Sequence, residues 1–243
     1  MQNVTVDSAG PSMLEGILVI NPRSFVERRE NIERQLRPLG FPYEYVHAFD
    51  ISDLTPDVTN TYFRNEILHP GQQSCALKHV QALRLICERN WQRALVLEDD
   101  ALLADNFPME LNAVLQEAAE LPEPHVLFVG SGGNQYTPRR ERVKGQRLYR
   151  STRGRLAEAY VISSQAARLR LEWIELHGIP LPVDNLFEQI DRERAIALYW
   201  LEPPIVEQGS KNGRFRSVLE PAPPNCIRRI QSIFQKIRRK YLS

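Results

Sequence analysis

Cysteine is scarce in this chain, and long apolar runs are missing. Three cysteines, Cys75, Cys87 and Cys226, form an odd set with no CxxC spacing. That pattern argues against both a disulfide framework and a thiolate zinc site, and predicts simple buried or surface thiols. No stretch approaches the roughly 18 apolar residues of a membrane-spanning helix. The opening MQNVTVDSAGPSMLEG also lacks the basic start and apolar run of a secretory signal. These absences predict a cytoplasmic location.

Nor does one sign of charge dominate, since the formal net charge is +1. The balance nevertheless hides an asymmetry. The last 17 residues hold six Lys or Arg and no acid, leaving 25 basic against 30 acidic groups in residues 1–226. Body and tail therefore face different surroundings. With 42% hydrophobic and 25% charged residues, the 243-residue chain has the make-up of an ordinary globular protein with one sizeable core.

What is present is an alternation of strand and helix signals. GILVIN (16–21) is a short apolar run, and SFVE after it has capping-box spacing, with Ser24 as cap and Glu27 reaching back, so a helix is expected to about Pro38. PYEYVHAFD predicts a second strand ending at Asp50. GQQSCALKHVQALRLICERN sets Ala76, Val80, Leu83 and Cys87 on one helical stripe. ALVLEDD and HVLFVG are further strands with a helix near 109–120 between them, and GSGGN (130–134) is a Gly-rich turn.

Residues 135–155 carry eight basic residues and one acid, which predicts a long loop or exposed hairpin. A strand near 157–162, two more helices and a final strand broken at Pro203-Pro204 complete the pattern. The expected fold is α/β, a mixed sheet flanked by helices, with ligands at the carboxyl ends of the strands. Three segments follow: a flexible 1–15, a domain over 16–222, and a basic amphipathic helix over 223–243.

The chemistry concentrates in Glu98, Asp99 and Asp100, three acids that close an apolar strand. If the strand continues through them, Glu98 and Asp100 share a face and Asp99 takes the other. Two carboxylates close together in a poorly solvated crevice need a positive partner. A hard divalent cation, Mn2+ or Mg2+, suits oxygen ligands of this kind. Adjacent acids can also simply begin a solvated turn. Phosphatases, nucleases, kinases and nucleotide-sugar transferases all use such a metal to neutralise phosphate charge.

ILVINPRSFVERRENIERQLRPLGFPYEYVHAFD, GQQSCALKHVQALRLICERNWQRALVLEDDALL and AYVISSQAA…LPVDN resemble, in order and spacing over about residues 17–217, the bacterial glycosyltransferase family 25. The resemblance implies a GT-A-like, Rossmann-type nucleotide-sugar fold, a UDP-sugar donor (most often UDP-galactose), and metal-dependent transfer onto a lipopolysaccharide, lipooligosaccharide or capsule glycan. It also implies inversion at the anomeric centre. Asn21, Arg28 and Arg29 match the donor-side opening motif, and Asp50 matches an acid expected near the nucleoside. Gly71, Cys75 and His79 match a G…C…SH pattern. Glu98, Asp99 and Asp100 match the acidic metal motif; Asp100 is expected to hold the metal with help from Glu98 or Asp99, with Glu98 the first choice and Asp99 then on the donor side. Three positions depart from the family: Lys78 replaces Ser, Ile51 replaces Gly, and LAEAY (156–160) replaces GTHAY.

An inverting transferase needs a base for the acceptor hydroxyl. Asp184 is the first candidate and an N-cap role its alternative. Glu158 is the second, unless it faces the surface. His79 is a core histidine or a donor contact, and Arg28 and Arg29 hold diphosphate or are solvated. Gln208 and Ser217 fall in the closing segment of the resemblance. The basic 139–155 stretch grips acceptor phosphate or is a solvated excursion, and it lacks the aromatic interleaving and motifs of nucleic-acid binding. In the tail, Ile227, Ile230 and Ile237 at helical spacing among six basic residues suit an anionic membrane surface on the inner face, or docking on the body. The functions that compete with transfer are a non-catalytic scaffold in polysaccharide assembly and a metal-dependent phosphoester hydrolase.

Overall fold

The computed structural model describes residues 14–63, 68–132 and 134–215, together with Ile233. The predicted 223–243 helix, most of the 1–15 segment, Ser217 and Cys226 therefore fall outside the described residues, Ile233 apart.

In chain order the strands are β1 (Gly16–Ile20), β2 (Tyr43–Val46), β3 (Arg93–Glu98), β4 (Ala101–Leu103), β5 (His125–Phe128), β6 (Leu148–Ser151), β7 (Ala159–Ser163), β8 (Ala197–Leu201) and β9 (Val206–Gln208). The helices are α1 (Val26–Leu36), α2 (Pro56–Tyr62), α3 (Pro70–Glu88), α4 (Phe107–Glu117), α5 (Ser164–His177) and α6 (Val183–Glu193). Seven strands form one mixed sheet in the order β2-β1-β3-β7-β5-β8-β6, and β4 and β9 pair separately. β2, β1 and β3 run parallel, while β7 enters antiparallel between β3 and β5. The architecture is compatible with a Rossmann-like fold.

The continuous apolar text of β1 and β3 follows from burial on both faces. Leu18, Ile20, Ala94 and Val96 pack in one core with α3, α5 and α6. Ile17, Val19, Leu95 and Leu97 pack in the other with α1 and α4. Each such aliphatic side chain, fully buried, contributes roughly 1.5–3 kcal/mol. A rigid sheet centre results, and the ends of β1 and β3 are fixed to it.

α3 begins with a reciprocal capping box between His69 and Gln72, with Pro70 at the first helical position. Its Ala76, Val80 and Leu83 are buried as the periodicity predicts. Cys87 on the same stripe is half-buried.

Four expectations need correction. The Ser24–Glu27 capping box does not form: the Phe25 N–H bonds Pro22 O at 2.9 Å in a turn, and α1 starts at Val26 with no side-chain cap. β3 stops at Glu98, and Asp99 and Asp100 occupy a turn, so strand alternation does not order the three acids. The 135–155 stretch is not simply an exposed loop, because β6 pairs antiparallel with β8 at the sheet edge. Four of its cations are in ion pairs: Arg142 and Arg155 with Glu202, Arg147 with Glu110, and Arg140 with Glu141. Arg155 is buried, donating also to Gly130 O and Leu201 O. Finally, α6 starts at Val183, and Asp184 makes no capping bond to its own helix.

Candidate active site

The acids stand where two parallel strands end side by side, with Ile20 of β1 in register with Glu98 of β3. The Asp99 N–H still reaches Ile20 O at 3.0 Å before the chain turns. Its carboxylate accepts from Asn21 Nδ2 at 2.8 Å and Arg28 Nη1 at 3.1 Å. Burial pushes the Asp99 carboxyl up to about 7, and Arg28 opposes the shift. Arg28 on α1 therefore faces the acids.

Asp100 is 1% exposed. One carboxylate oxygen, Oδ2, accepts the Ser210 N–H at 3.0 Å, and its carbonyl accepts the Gly209 N–H at 2.8 Å. The other oxygen, Oδ1, is buried without a hydrogen-bond partner. The β4–β9 pairing, Ala101 opposite Gln208, brings this distant segment to the acid turn. Only glycine fits at 209, since an added Cβ would lie 2.8 Å from Asp100 O and 2.6 Å from the Phe215 ring.

Glu98 turns its Oε2 toward Gln208 Nε2, 3.4 Å away, and its Oε1 toward α3. There Cys75 Sγ lies at 4.0 Å and His79 Nε2 at 3.5 Å. Burial first, and the neighbouring Asp100 charge second, raise the Glu98 carboxyl above the usual range. His79 is fully buried, its Nδ1 3.1 Å from the Tyr160 hydroxyl, and burial lowers it to about 4, so the ring is neutral at pH 7.

Lys78 stands one turn along α3 from Cys75, with its ammonium buried. Nζ lies 2.7 Å from Asp50 Oδ1 and donates to His47 O at 3.0 Å and Ala48 O at 2.8 Å. The other Asp50 oxygen accepts the Arg23 N–H at 3.2 Å and Nη1 at 3.1 Å. The departure from Ser at position 78 thus has a structural account: a long cation ties α3 to the chain after β2.

Asp184 enters the cleft from the first turn of α6. Its Oδ1 accepts the Ala157 N–H at 2.7 Å, and burial, then the charge of Glu98, raise it to about 6. Glu158 is wholly buried, accepts the Gly132 N–H at 2.5 Å, and is pushed by burial up to about 8.

These elements enclose a cleft of about 910 Å3. Arg28, Asp50, Gly71, Glu98, Asp99, Asp100 and Asp184 all line it, as do Cys75, Lys78, Arg153, Gln208 and Lys211. Asn21, Arg29, His79 and Glu158 do not. Asn21 stands behind the wall and positions Asp99, and His79 lies behind Glu98 without bonding it, while the Arg29 carbonyl accepts from the Tyr45 hydroxyl at 3.4 Å. The arrangement offers acid oxygens for a cation at the strand ends, guanidinium and ammonium groups in the same cleft, and a further carboxylate, Asp184, from α6. It is suited to holding a phosphorylated ligand near a base.

Sequence reasoning assigned no task to Cys75 or Lys78. A signal was present, because Gly71, Cys75 and Lys78 recur at i, i+4 and i+7 and so share a helix face. Among the described residues, Cys75, His79 and Glu98 bring ligand atoms within 4.8 Å of one another, which the three consecutive acids do not. No helix among the described residues is long and apolar enough to cross a membrane.

No curated protein matches the chain. The sequence profile described as glycosyltransferase family 25 (LPS biosynthesis protein) matches residues 14–135, a span that holds Asn21, Arg28, Asp50, α3 and the Glu98–Asp100 turn but ends before Asp184. The match covers half of the chain, which therefore belongs to glycosyltransferase family 25.

Proposed function

We propose that the protein is a GT-A-type, nucleotide-sugar-dependent hexosyltransferase that moves a sugar, with UDP-galactose the first donor to test, onto a lipopolysaccharide or lipooligosaccharide glycan. The observation that carries this reading is the one cleft that Glu98, Asp100, Arg28, Lys211 and Asp184 line together. A divalent cation fits the acid turn, because Asp100 Oδ1 is buried without a partner and Glu98 Oε2 has only the long Gln208 contact. Glu98 and Asp100 would hold Mn2+ or Mg2+, and the ion would neutralise charge on the donor diphosphate. Asp99, already engaged by Asn21 and Arg28, orients Arg28 rather than binding metal.

Asp184 acts as the base that takes the acceptor hydroxyl proton in an inverting transfer. Its carboxyl is raised toward working pH and it lines the cleft, whereas Glu158 does not. Arg153, which also lines the cleft, brings the basic segment to the donor or acceptor phosphate. The enzyme works at the inner face of the cytoplasmic membrane, with the basic tail on anionic lipid.

Calorimetric titration of the full chain with UDP, with and without Mn2+, tests the donor half of this reading. Metal-dependent binding that D100A abolishes supports it, and no nucleotide binding under either condition rejects it. Transfer of galactose from UDP-galactose to a lipooligosaccharide acceptor tests the other half.

A further inference from the structure

The three groups that converge behind the acid turn are chemically unlike a hard-cation site. Cys75 and His79 lie four residues apart on α3 and project from the same face, and Glu98 meets them from the end of β3. Sγ to Oε1 is 4.0 Å, Nε2 to Oε1 is 3.5 Å, and all three ligand atoms lie within 4.8 Å of one another. A tetrahedral ion with bonds of about 2.0–2.3 Å would space such ligands about 3.3–3.7 Å apart, so small rotations of Cys75 and His79 suffice.

A second observation points the same way. His79 Nε2 is wholly buried, has no hydrogen-bond partner, and is aimed at Glu98. An unpaired imidazole nitrogen in that setting is costly unless something fills the gap. The other nitrogen, Nδ1, stands 3.1 Å from the Tyr160 hydroxyl, the outer hydrogen bond that fixes the ring of a metal-bound histidine. Burial keeps the imidazole neutral, as a ligand must be.

We propose that Cys75, His79 and Glu98 form a site for a borderline-soft divalent cation, Zn2+ foremost, with its fourth position open to the cleft. One thiolate and one imidazole among three ligands favour Zn2+ over Mg2+ or Mn2+. Cys75 and Glu98 both line the cleft, which gives the ion its path in and leaves the fourth position to water or a ligand oxygen. On binding, the Cys75 thiol proton passes to solvent. The site uses Glu98 Oε1, whereas the hard-cation reading needs Oε2 with Asp100. The two sites therefore share a residue without sharing an oxygen.

Cobalt(II) reports thiolate ligation directly. Full-length protein, freed of metal by a chelator and held in excess Mg2+, is titrated with Co2+. One equivalent should produce a thiolate-to-cobalt charge-transfer band, which Zn2+ then bleaches. The band should vanish in C75S and persist in D100N and C87S. Its absence from the unsubstituted protein, its survival in C75S, or its loss in D100N would each overturn the assignment.

A second measurement avoids any folding defect of a variant. In unsubstituted protein, Zn2+ should protect Cys75 from alkylation, read by peptide mass spectrometry, while the Cys87 rate stays unchanged. Equal Cys75 rates with and without Zn2+ would reject the site. Neither experiment contains donor or acceptor, so their failure leaves the transferase reading standing, and a failure of UDP to bind leaves this one standing.

Discussion

Lys78 holds its ammonium 2.7 Å from the Asp50 carboxylate and, with its remaining protons, closes the carbonyls of His47 and Ala48. Lys78→Met keeps the apolar stem and deletes the charge, leaving two carbonyls without a donor and Asp50 with Arg23 alone. Breaking a buried ion pair from one side costs about 3–5 kcal/mol, and the remaining Arg23 contact puts the expected loss near the lower end. Urea denaturation of both proteins measures it. A change below about 1 kcal/mol would mean that solvent already serves these groups.

Asp100→Asn keeps the shape and the Ser210 hydrogen bond while removing the charge beside Glu98. Metal-dependent UDP binding should fall by at least about tenfold, equivalent to about 1.4 kcal/mol, with little change in thermal stability. Calorimetry with Mn2+ reads the first quantity and a thermal melt the second. Unaltered affinity would remove Asp100 from the metal site.

Asp184→Asn should lower kcat by about 10²–10⁴-fold while donor affinity is retained. As the proposed base, Asp184 must be ionised. The activity of the unsubstituted enzyme should therefore rise with pH through an acidic limb between the ordinary carboxylate range and about 6, and be lost as pH falls below it. A cation on Glu98 removes the second cause of the shift and moves that limb downward. A pH profile with no acidic limb in this region, or a D184N enzyme of normal kcat, would assign the base elsewhere.

Glu158 sets a stability trend of its own. Its folded carboxyl, raised to about 8 by burial, keeps a proton that the unfolded chain releases near the ordinary value of 4.5. The folded state thus binds more protons between these pH values, and stability must fall as pH rises through the window. Glu158→Gln mimics the protonated form and should flatten the fall, with a gain on the order of a few kcal/mol above pH 8. Denaturant titrations at pH 6 and pH 9 compare the two proteins. A parallel decline in both would place the cause in other groups.

Much of this arrangement was legible in the text. Apolar runs marked β1, β3, β5 and β7 because both faces of those strands are buried, and the α3 stripe appeared because Ala76, Val80 and Leu83 are three and four residues apart. The acids stood out because a buried strand ends on them. Their individual tasks did not, since the partners of Asp99 lie 71 and 78 residues away and nothing local distinguishes it from Asp100. β6 escaped notice because the four-residue LYRS sits within Arg-rich text and offers no sustained apolar run, and Glu202, the acid that pairs with Arg142 and Arg155 on either side of it, arrives only after β8. Convergence of Cys75 and His79 on Glu98 depends on where α3 crosses β3, which spacing within either segment cannot give.

The late return of the chain to the acid turn has a consequence for synthesis. Asp100 is gripped through its carbonyl and its carboxylate by Gly209 and Ser210, and β4 has no ladder until β9 arrives. A nascent polypeptide could therefore assemble β1, β2 and α3 on the ribosome and still lack the contacts that complete the acid turn. Under the proposed function, fragments ending before residue 206 would lack the Gly209 and Ser210 contacts to Asp100 and be inert whatever their fold.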